Sequence, residues 1–272
     1  MGTELKKEDY QEPCCPLKMD TAVNRIPVGR ILETLDNHFA KKDFDAAISH
    51  LKYWKEEARI GGDVSGLLSV INEQIGLYRK LAMQEDGLAV IKEAMELVGP
   101  AGLNDTVTHG TTLVNAATAY NAFKQPVKAL PLYREAEKIY EANLSEDDER
   151  LGGLYNNMAL VLTTLESFDE AMSYYEKALK IMAKQKFGCL EEAITCLNMA
   201  DLVKAVGAYE NEDNVIDEYL TKAYELLNTK DVPQDGYYAF VCEKCAPVFG
   251  YYGYFLAEKD LTERARTITE NL

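Results

Sequence analysis

Two cysteines separated by two residues, Cys242 and Cys245, form the spacing in this sequence that most resembles a redox or metal-binding motif. A thioredoxin-like pair follows a β-strand, whereas the pattern from Tyr238 to Phe255 is typical of a helix. A structural zinc site needs about four ligands, and no second pair of this kind occurs in the chain. We therefore interpret both thiols as reduced and packed in a helical hairpin, and we expect no stoichiometric zinc in the purified protein.

The other residues that could carry catalysis do not form a recognisable constellation. The three histidines, His38, His50 and His109, are far from any catalytic motif in sequence. The chain contains no glycine-rich phosphate loop, no Gly-x-Ser-x-Gly and no His-Glu-x-x-His sequence. Its 45 carboxylates are spread along helical segments, where most carboxylates form solvated faces. We predict that the protein is not an enzyme and uses no cofactor or metal.

The composition excludes several classes of partner. A net charge of −16 and an isoelectric point near 4.7 disfavour nucleic acid and anionic membrane surfaces, because like charges repel. No apolar run approaches the roughly 20 residues that span a bilayer, and the first residues contain no apolar core of a signal peptide. Hydrophobic residues make up 47% of the chain, enough to form a core. We expect an acidic, cytoplasmic protein.

The elements that must position these residues are amphipathic helices that recur along the chain. Residues 151–183 contain two such helices joined by a polar turn, and Ala159, Ala171 and Ala178 allow their backbones to approach closely. The small position of the second helix recurs at Trp54, Ala94, Ala136, Ala178, Ala223 and Ala265, about every 42 residues. The pattern predicts six helical hairpins, at residues 27–60, 64–98, 106–143, 147–186, 188–229 and 235–271.

This pattern resembles the tetratricopeptide repeat, a helical hairpin of about 34 residues with small and aromatic residues at fixed positions. A longer spacing adds about one turn to each helix, and such long repeats are similar to those of the kinesin-light-chain-like branch, which includes bacterial peptide-sensing regulators. The resemblance implies an all-α right-handed superhelix, a solenoid of about six hairpins with a concave inner face. Residues 25–272 are predicted to form this repeat domain, and residues 1–24 a mobile N-terminal tail.

The resemblance also implies where a ligand binds. In peptide-binding members of the family, the first helices of the hairpins line the concave groove, and asparagine side chains there hold the backbone of the ligand. Asn115, Asn157 and Asn198 share one position in three successive first helices, and an amide both donates and accepts hydrogen bonds. The alternative is that these amides stabilise helix packing. The other groove residues that the resemblance implies are Asn72, Arg79, Lys80, Thr118, Asn121, Asn156, Thr163, Asp201 and Lys204.

Aromatic residues are concentrated in the last predicted hairpin, between residues 236 and 255. They are Tyr237, Tyr238, Phe240, Phe249, Tyr251, Tyr252, Tyr254 and Phe255. Such a density either seals the end of the core, which we favour, or forms a contact with a second subunit in a homodimer.

The function predicted from these observations is a non-enzymatic scaffold that binds a protein or peptide segment in the groove. The alternative is a regulatory sensor, in which a small peptide changes the superhelix and thereby the output of a separate protein.

Overall fold

Twelve α-helices account for all regular secondary structure in residues 24–207 and 211–271, which the computed structural model describes. The predicted tail, with Cys14 and Cys15, lies outside the described residues except for Asn24. The helices are α1 (Val28–Ala40), α2 (Phe44–Gly61), α3 (Val64–Lys80), α4 (Gln84–Val98), α5 (Val107–Ala122), α6 (Pro126–Asn143), α7 (Glu149–Thr164), α8 (Phe168–Met182), α9 (Cys189–Val206), α10 (Glu212–Leu227), α11 (Gly236–Tyr251) and α12 (Phe255–Glu270).

Five of the predicted hairpins are observed as packed helix pairs, namely α1 with α2, α3 with α4, α7 with α8, α9 with α10 and α11 with α12. The all-α prediction is confirmed. We call the odd-numbered helices first helices and the even-numbered ones second helices. Helix α6 begins at Pro126, where a missing N–H does no harm, and it continues without interruption through Pro131. None of the described helices combines the length and the apolar character that crossing a bilayer requires.

In every hairpin except α9–α10, a three-residue turn of recurring geometry joins the first helix to the second. One residue of the turn has a positive φ, as at Lys42, Ala82 and Glu166. The next amide then donates a hydrogen bond back to a carbonyl in the last turn of the first helix, for example from Ser167 to Leu162 at 2.9 Å. This arrangement satisfies carbonyls that the end of a helix leaves unpaired, and it turns the chain back on itself within three residues.

The chain divides into two compact units between Gln125 and Pro126. Unit 1 contains α1 to α5, and unit 2 contains α6 to α12. In unit 1 each helix packs on the next, and the first helices α1, α3 and α5 also contact one another in sequence order. In unit 2 the first helices α7, α9 and α11 do the same. The first helices of each unit therefore form a continuous layer.

Small residues allow the close packing of the two layers. The alanines at the recurring positions of the second helices, such as Ala94, Ala171 and Ala178, have no exposed surface. At Gly87 a Cβ atom would lie 2.7 Å from the ring of Phe123, so even a methyl group does not fit there. The repeated small residues in the sequence thus mark the positions at which two helices pack closely.

Candidate functional site

A cluster of three polar side chains joins two first helices of unit 1. Asn72 of α3 donates a hydrogen bond from Nδ2 to Oγ1 of Thr112 on α5, at 3.1 Å. The same asparagine accepts a hydrogen bond at Oδ1 from Nδ2 of Asn115, also at 3.1 Å. Buried polar atoms that find such partners avoid the desolvation cost of an unmade hydrogen bond. We call this set the α3–α5 amide cluster.

Unit 2 contains the same arrangement between α7 and α9. Asn156 accepts hydrogen bonds at Oδ1 from Oγ1 of Thr195 at 3.2 Å and from Nδ2 of Asn198 at 3.0 Å. Asn156 lies three residues before the small position at Ala159, as Asn72 lies three residues before Ile75. This α7–α9 amide cluster is therefore a recurring feature of the repeat.

In each cluster one asparagine, Asn115 or Asn198, has side-chain polar atoms without a hydrogen-bond partner in the described residues. Asn115 and Asn198 are half-buried, and each uses a single N–H in its cluster. The Oδ1 atom and the second N–H remain for another partner. Asn157 is also half-buried and makes no side-chain hydrogen bond within residues 24–207 and 211–271. These contacts fit the packing alternative for two of the three amides, while ligand binding stays a prediction.

The predicted cations of unit 1 lie at the end of α3. Arg79 and Lys80 are both exposed. The Lys80 ammonium group lies 5.1 Å from the centroid of the Phe39 ring, a cation–π contact with the preceding hairpin. The two remaining predicted residues of this unit, Thr118 and Asn121, are half-buried on α5.

The predicted residues of unit 2 lie close to other side chains of the same unit. Thr163 on α7 donates a hydrogen bond to the carbonyl of Ala159 in its own helix. Asp201 on α9 accepts a hydrogen bond from the Tyr252 hydroxyl at 2.9 Å. Lys204 forms an ion pair of 2.9 Å with Glu212, so its charge is offset within the unit.

Two carboxylates that the sequence analysis did not single out lie on these first helices. Burial raises the pKa of Glu73 on α3, and the nearby carboxylate of Asp36 raises it further. Burial also raises the pKa of Glu191 on α9, which accepts a hydrogen bond from the Tyr237 hydroxyl. The repeat pattern could have indicated Glu73 as a residue of this surface, because Glu73 occupies in α3 the position that Asn115 occupies in α5.

Residues 108–184 match the sequence model of the tetratricopeptide repeat family. This segment therefore carries tetratricopeptide repeats. No curated protein matches the sequence significantly.

Solved structures of similar fold cover more of the chain than this match does. The apo form of the quorum sensor NprR from B. thuringiensis is similar over 88% of this chain and 64% of its own, with a TM-score of 0.56 and 16% identity. BtubC (BKLC) from P. vanneervenii is similar over 91% of this chain and 92% of its own, with a TM-score of 0.52 and 17% identity. Kinesin-light-chain-like, nearly identical TPR-like repeats from Podosopora anserina cover 75% of this chain and 95% of their own, with a TM-score of 0.53 and 15% identity. At these identities the likeness concerns the fold alone.

The thiols of the last hairpin are packed in the hydrophobic core. Cys242 and Cys245 are buried on α11, and burial raises the pKa of Cys245 to about 12. In the described part of the chain, no group of three or more His, Cys, Asp and Glu side chains is placed to hold a metal ion. The absence of zinc itself stays a prediction for metal analysis.

The aromatic side chains of this last repeat divide between core and surface. Tyr238 and Phe249 are buried in the core of unit 2. Phe240 and Tyr251 on α11 are exposed by 51% and 72%, and Phe255 at the start of α12 is exposed by 67%. Tyr237 is also exposed, so sealing of the core accounts for part of the cluster and four aromatic rings remain at the surface.

Proposed function

We propose that this protein is a scaffold that binds a protein or peptide segment on the polar faces of its first helices. The observation that carries the proposal is the pair of amide clusters, in which Asn115 and Asn198 are held by the preceding first helix. Each keeps an acceptor and a donor. A peptide backbone offers N–H and C=O groups along its whole length, so a fixed amide can bind it independently of its side chains.

Charge narrows the kind of segment that fits. The face of α9 carries Glu191 and Asp201 beside Asn198, and the nearby cation Lys204 is paired with Glu212. An acidic segment would be repelled by these carboxylates and by the net charge of −16. A neutral or basic segment is therefore the proposed ligand. We propose no catalytic step and no cofactor, and we propose that the protein is cytoplasmic. These features are typical of binding scaffolds built from this repeat.

Peptides selected from a random displayed library provide a direct test. Affinity for a selected peptide should fall about 5- to 150-fold in Asn115→Ala and Asn198→Ala, since a lost hydrogen bond in a desolvated site costs about 1–3 kcal/mol. Asn157→Ala should weaken binding as well, without a change in stability. Asn214→Ala is the matched control, because this exposed asparagine lies on the second helix α10. Unchanged affinity in all three first-helix variants would contradict the proposal.

A regulatory sensor is the second candidate function, favoured by the similarity of fold to a quorum sensor. In this form a small peptide bound to the first helices changes the binding of a separate output protein. A pull-down with and without a selected peptide, followed by mass spectrometry, distinguishes the two functions. If the amount of a recovered partner protein changes when the peptide is added, the result supports the sensor. If the amount does not change, the result supports the scaffold.

A homodimer through the exposed aromatic rings of the last hairpin is a separate proposal. Sedimentation of the wild-type protein should then show a dimer that Phe240→Asp converts to a monomer. A wild-type protein that sediments as a monomer at high concentration would exclude it.

A further inference from the structure

A carboxylate on α9 lies one turn from the amide that is proposed to hold the ligand. Asp201 follows Asn198 by three residues, so the two side chains share one face of the helix and are separated by about 4.5 Å along its axis. An extended peptide advances about 3.3 Å per residue. A ligand residue that binds Asn198 therefore has its own side chain, or that of a neighbouring residue, within reach of Asp201.

The Asp201 carboxylate forms no ion pair within residues 24–207 and 211–271. Its Oδ1 atom accepts a hydrogen bond at 2.9 Å from the hydroxyl group of Tyr252, the residue directly after α11, and its Oδ2 atom makes no hydrogen bond in those ranges. Lys204, one turn further along α9, pairs instead with Glu212 at 2.9 Å. Asp201 is exposed, yet partial burial raises its pKa. Its charge is thus partly desolvated and lacks a counter-ion.

A buried hydroxyl group at the same place also lacks a partner. The side chain of Tyr175 on α8 is 0% exposed, and its hydroxyl oxygen makes no hydrogen bond in the described part of the chain. Burial raises the pKa of this hydroxyl, and the side chains of Thr163 on α7 and Asp201 on α9 are near enough to alter it further. The Tyr175 ring therefore extends from a second helix to the polar face of two first helices. Native proteins rarely leave a buried hydroxyl group without a partner, because doing so costs stability.

We propose that Asp201 and Tyr175 form a subsite that binds the cationic side chain of an arginine or lysine residue in the ligand. Thr163 and Tyr252 flank these two residues, and we call the four residues the Asp201 subsite. The inference rests on the proposed function, because it assigns one side chain of the same ligand.

The donor and acceptor groups of the Asp201 subsite match such a cation. An ammonium or guanidinium group donates hydrogen bonds and accepts none. It can donate to the Oδ2 atom of Asp201 and, directly or through one water molecule, to the hydroxyl oxygen of Tyr175. The carboxylate then gains a counter-ion in a charge-assisted hydrogen bond, and the buried hydroxyl gains a partner.

Sequencing of peptides selected from a random displayed library tests the subsite. With the wild-type protein, Lys or Arg should be enriched at one peptide position by at least about threefold over the library, because a charge-assisted hydrogen bond selects for the cation. Asp201→Asn should remove this enrichment, although asparagine still accepts the Tyr252 hydrogen bond and retains that contact between helices. Asp217→Asn is the matched control, because Asp217 accepts the same kind of hydrogen bond from Tyr254 at 2.9 Å, but on the second helix α10. It removes the same charge and should leave the enrichment unchanged.

A single selected peptide gives a quantitative form of the test. Replacement of its arginine by citrulline, or of its lysine by norleucine, should weaken binding to the wild-type protein about 5- to 50-fold. The same replacement should change binding to Asp201→Asn by less than about twofold, since the cation has already lost its partner there.

Tyr175→Phe tests the second group of the subsite. This variant removes a hydroxyl group that has no partner, so its Tm should stay the same or rise, while its affinity for the basic peptide should fall about 2- to 10-fold. A lower Tm with unchanged affinity would show that the hydroxyl serves packing alone, and Tyr175 would then not belong to the subsite.

The outcomes separate this inference from the proposed function. Selected peptides may depend on Asn198 and yet show no enrichment of Lys or Arg, or show an enrichment that persists in Asp201→Asn. Either result would overturn the subsite and leave the scaffold intact. Peptides that bind equally to Asn115→Ala, Asn157→Ala and Asn198→Ala would contradict the scaffold, and the subsite with it.

Discussion

At the level of single residues, two neighbouring asparagines on α7 have different roles. Asn156 is 6% exposed and accepts hydrogen bonds from Thr195 and Asn198, whereas Asn157 pairs with nothing in the described residues. Asn156→Ala should lower the free energy of unfolding by about 1–2 kcal/mol, since the half-buried Nδ2 of Asn198 loses its acceptor, whereas the Thr195 hydroxyl keeps the Glu191 carbonyl. Urea denaturation measures this change.

Asn157→Ala is the matched control for that substitution. It removes the same amide one residue away and should change the free energy of unfolding by less than about 0.5 kcal/mol. Equal losses in the two variants would show that the α7–α9 amide cluster does not stabilise the packing. The same pair separates stability from ligand binding, since only Asn157 combines a free amide with no role in packing.

The sequence showed part of this arrangement. The shared position of Asn115 and Asn198 was visible from the repeat spacing. Their partners, Asn72 and Asn156, lie one position earlier in the preceding first helix. Which residues of adjacent helices face each other depends on the offset between those helices, and a single sequence does not contain that offset. The pairing therefore required the structure.

At the level of helices, glycines with different surroundings make a matched test of the close packing. A Cβ atom at Gly76 in the middle of α3 would meet nothing within 4 Å, whereas at Gly87 in α4 it would press on the Phe123 ring. Gly76→Ala should stabilise the protein by about 0.5–1 kcal/mol through helix propensity. Gly87→Ala should destabilise it by about 1–3 kcal/mol through overpacking.

Thermal and urea unfolding of the two variants measure these opposite effects. A gain in stability for Gly87→Ala would mean that Phe123 moves aside easily, and the recurring small position would then have no packing role in unit 1. The outcome also bears on α2, α6 and α8, where alanine fills this position at Ala47, Ala129 and Ala171 and has no exposed surface.

Helix boundaries were predictable because periodicity and turn residues coincide. The first and last helical residues of the six predicted segments agree with the structure to within about four residues. The division between Gln125 and Pro126 was not predicted. It falls inside residues 108–184, which match the family model, so the repeat signal in the sequence did not reveal this division.

For the whole molecule, carboxylates that folding partly removes from solvent predict how stability depends on pH. Burial raises the pKa of Glu73, Glu191 and Asp201 above the ordinary values. The folded protein therefore binds protons at these groups more readily than the unfolded chain does. By linkage, the free energy of unfolding should rise as pH falls from 8 through the raised pKa values towards about 4.3, the ordinary value for glutamate.

At lower pH the direction should reverse. A hydrogen bond from Arg150 lowers the pKa of Asp148, so protonation of this group costs stability below its unfolded pKa of about 3.9. Thermal unfolding followed by circular dichroism at constant ionic strength should thus give a higher Tm near pH 5.5 than near pH 8.

Glu73→Gln tests directly whether the Glu73 carboxylate contributes to this pH dependence. It should raise Tm at pH 8, where it removes a buried charge beside Asp36, and the difference from wild type should shrink as pH falls towards 4.3, where Glu73 is itself protonated. A wild-type Tm that is highest at pH 8, or a Glu73→Gln variant without a gain there, would contradict this account of the first-helix carboxylates.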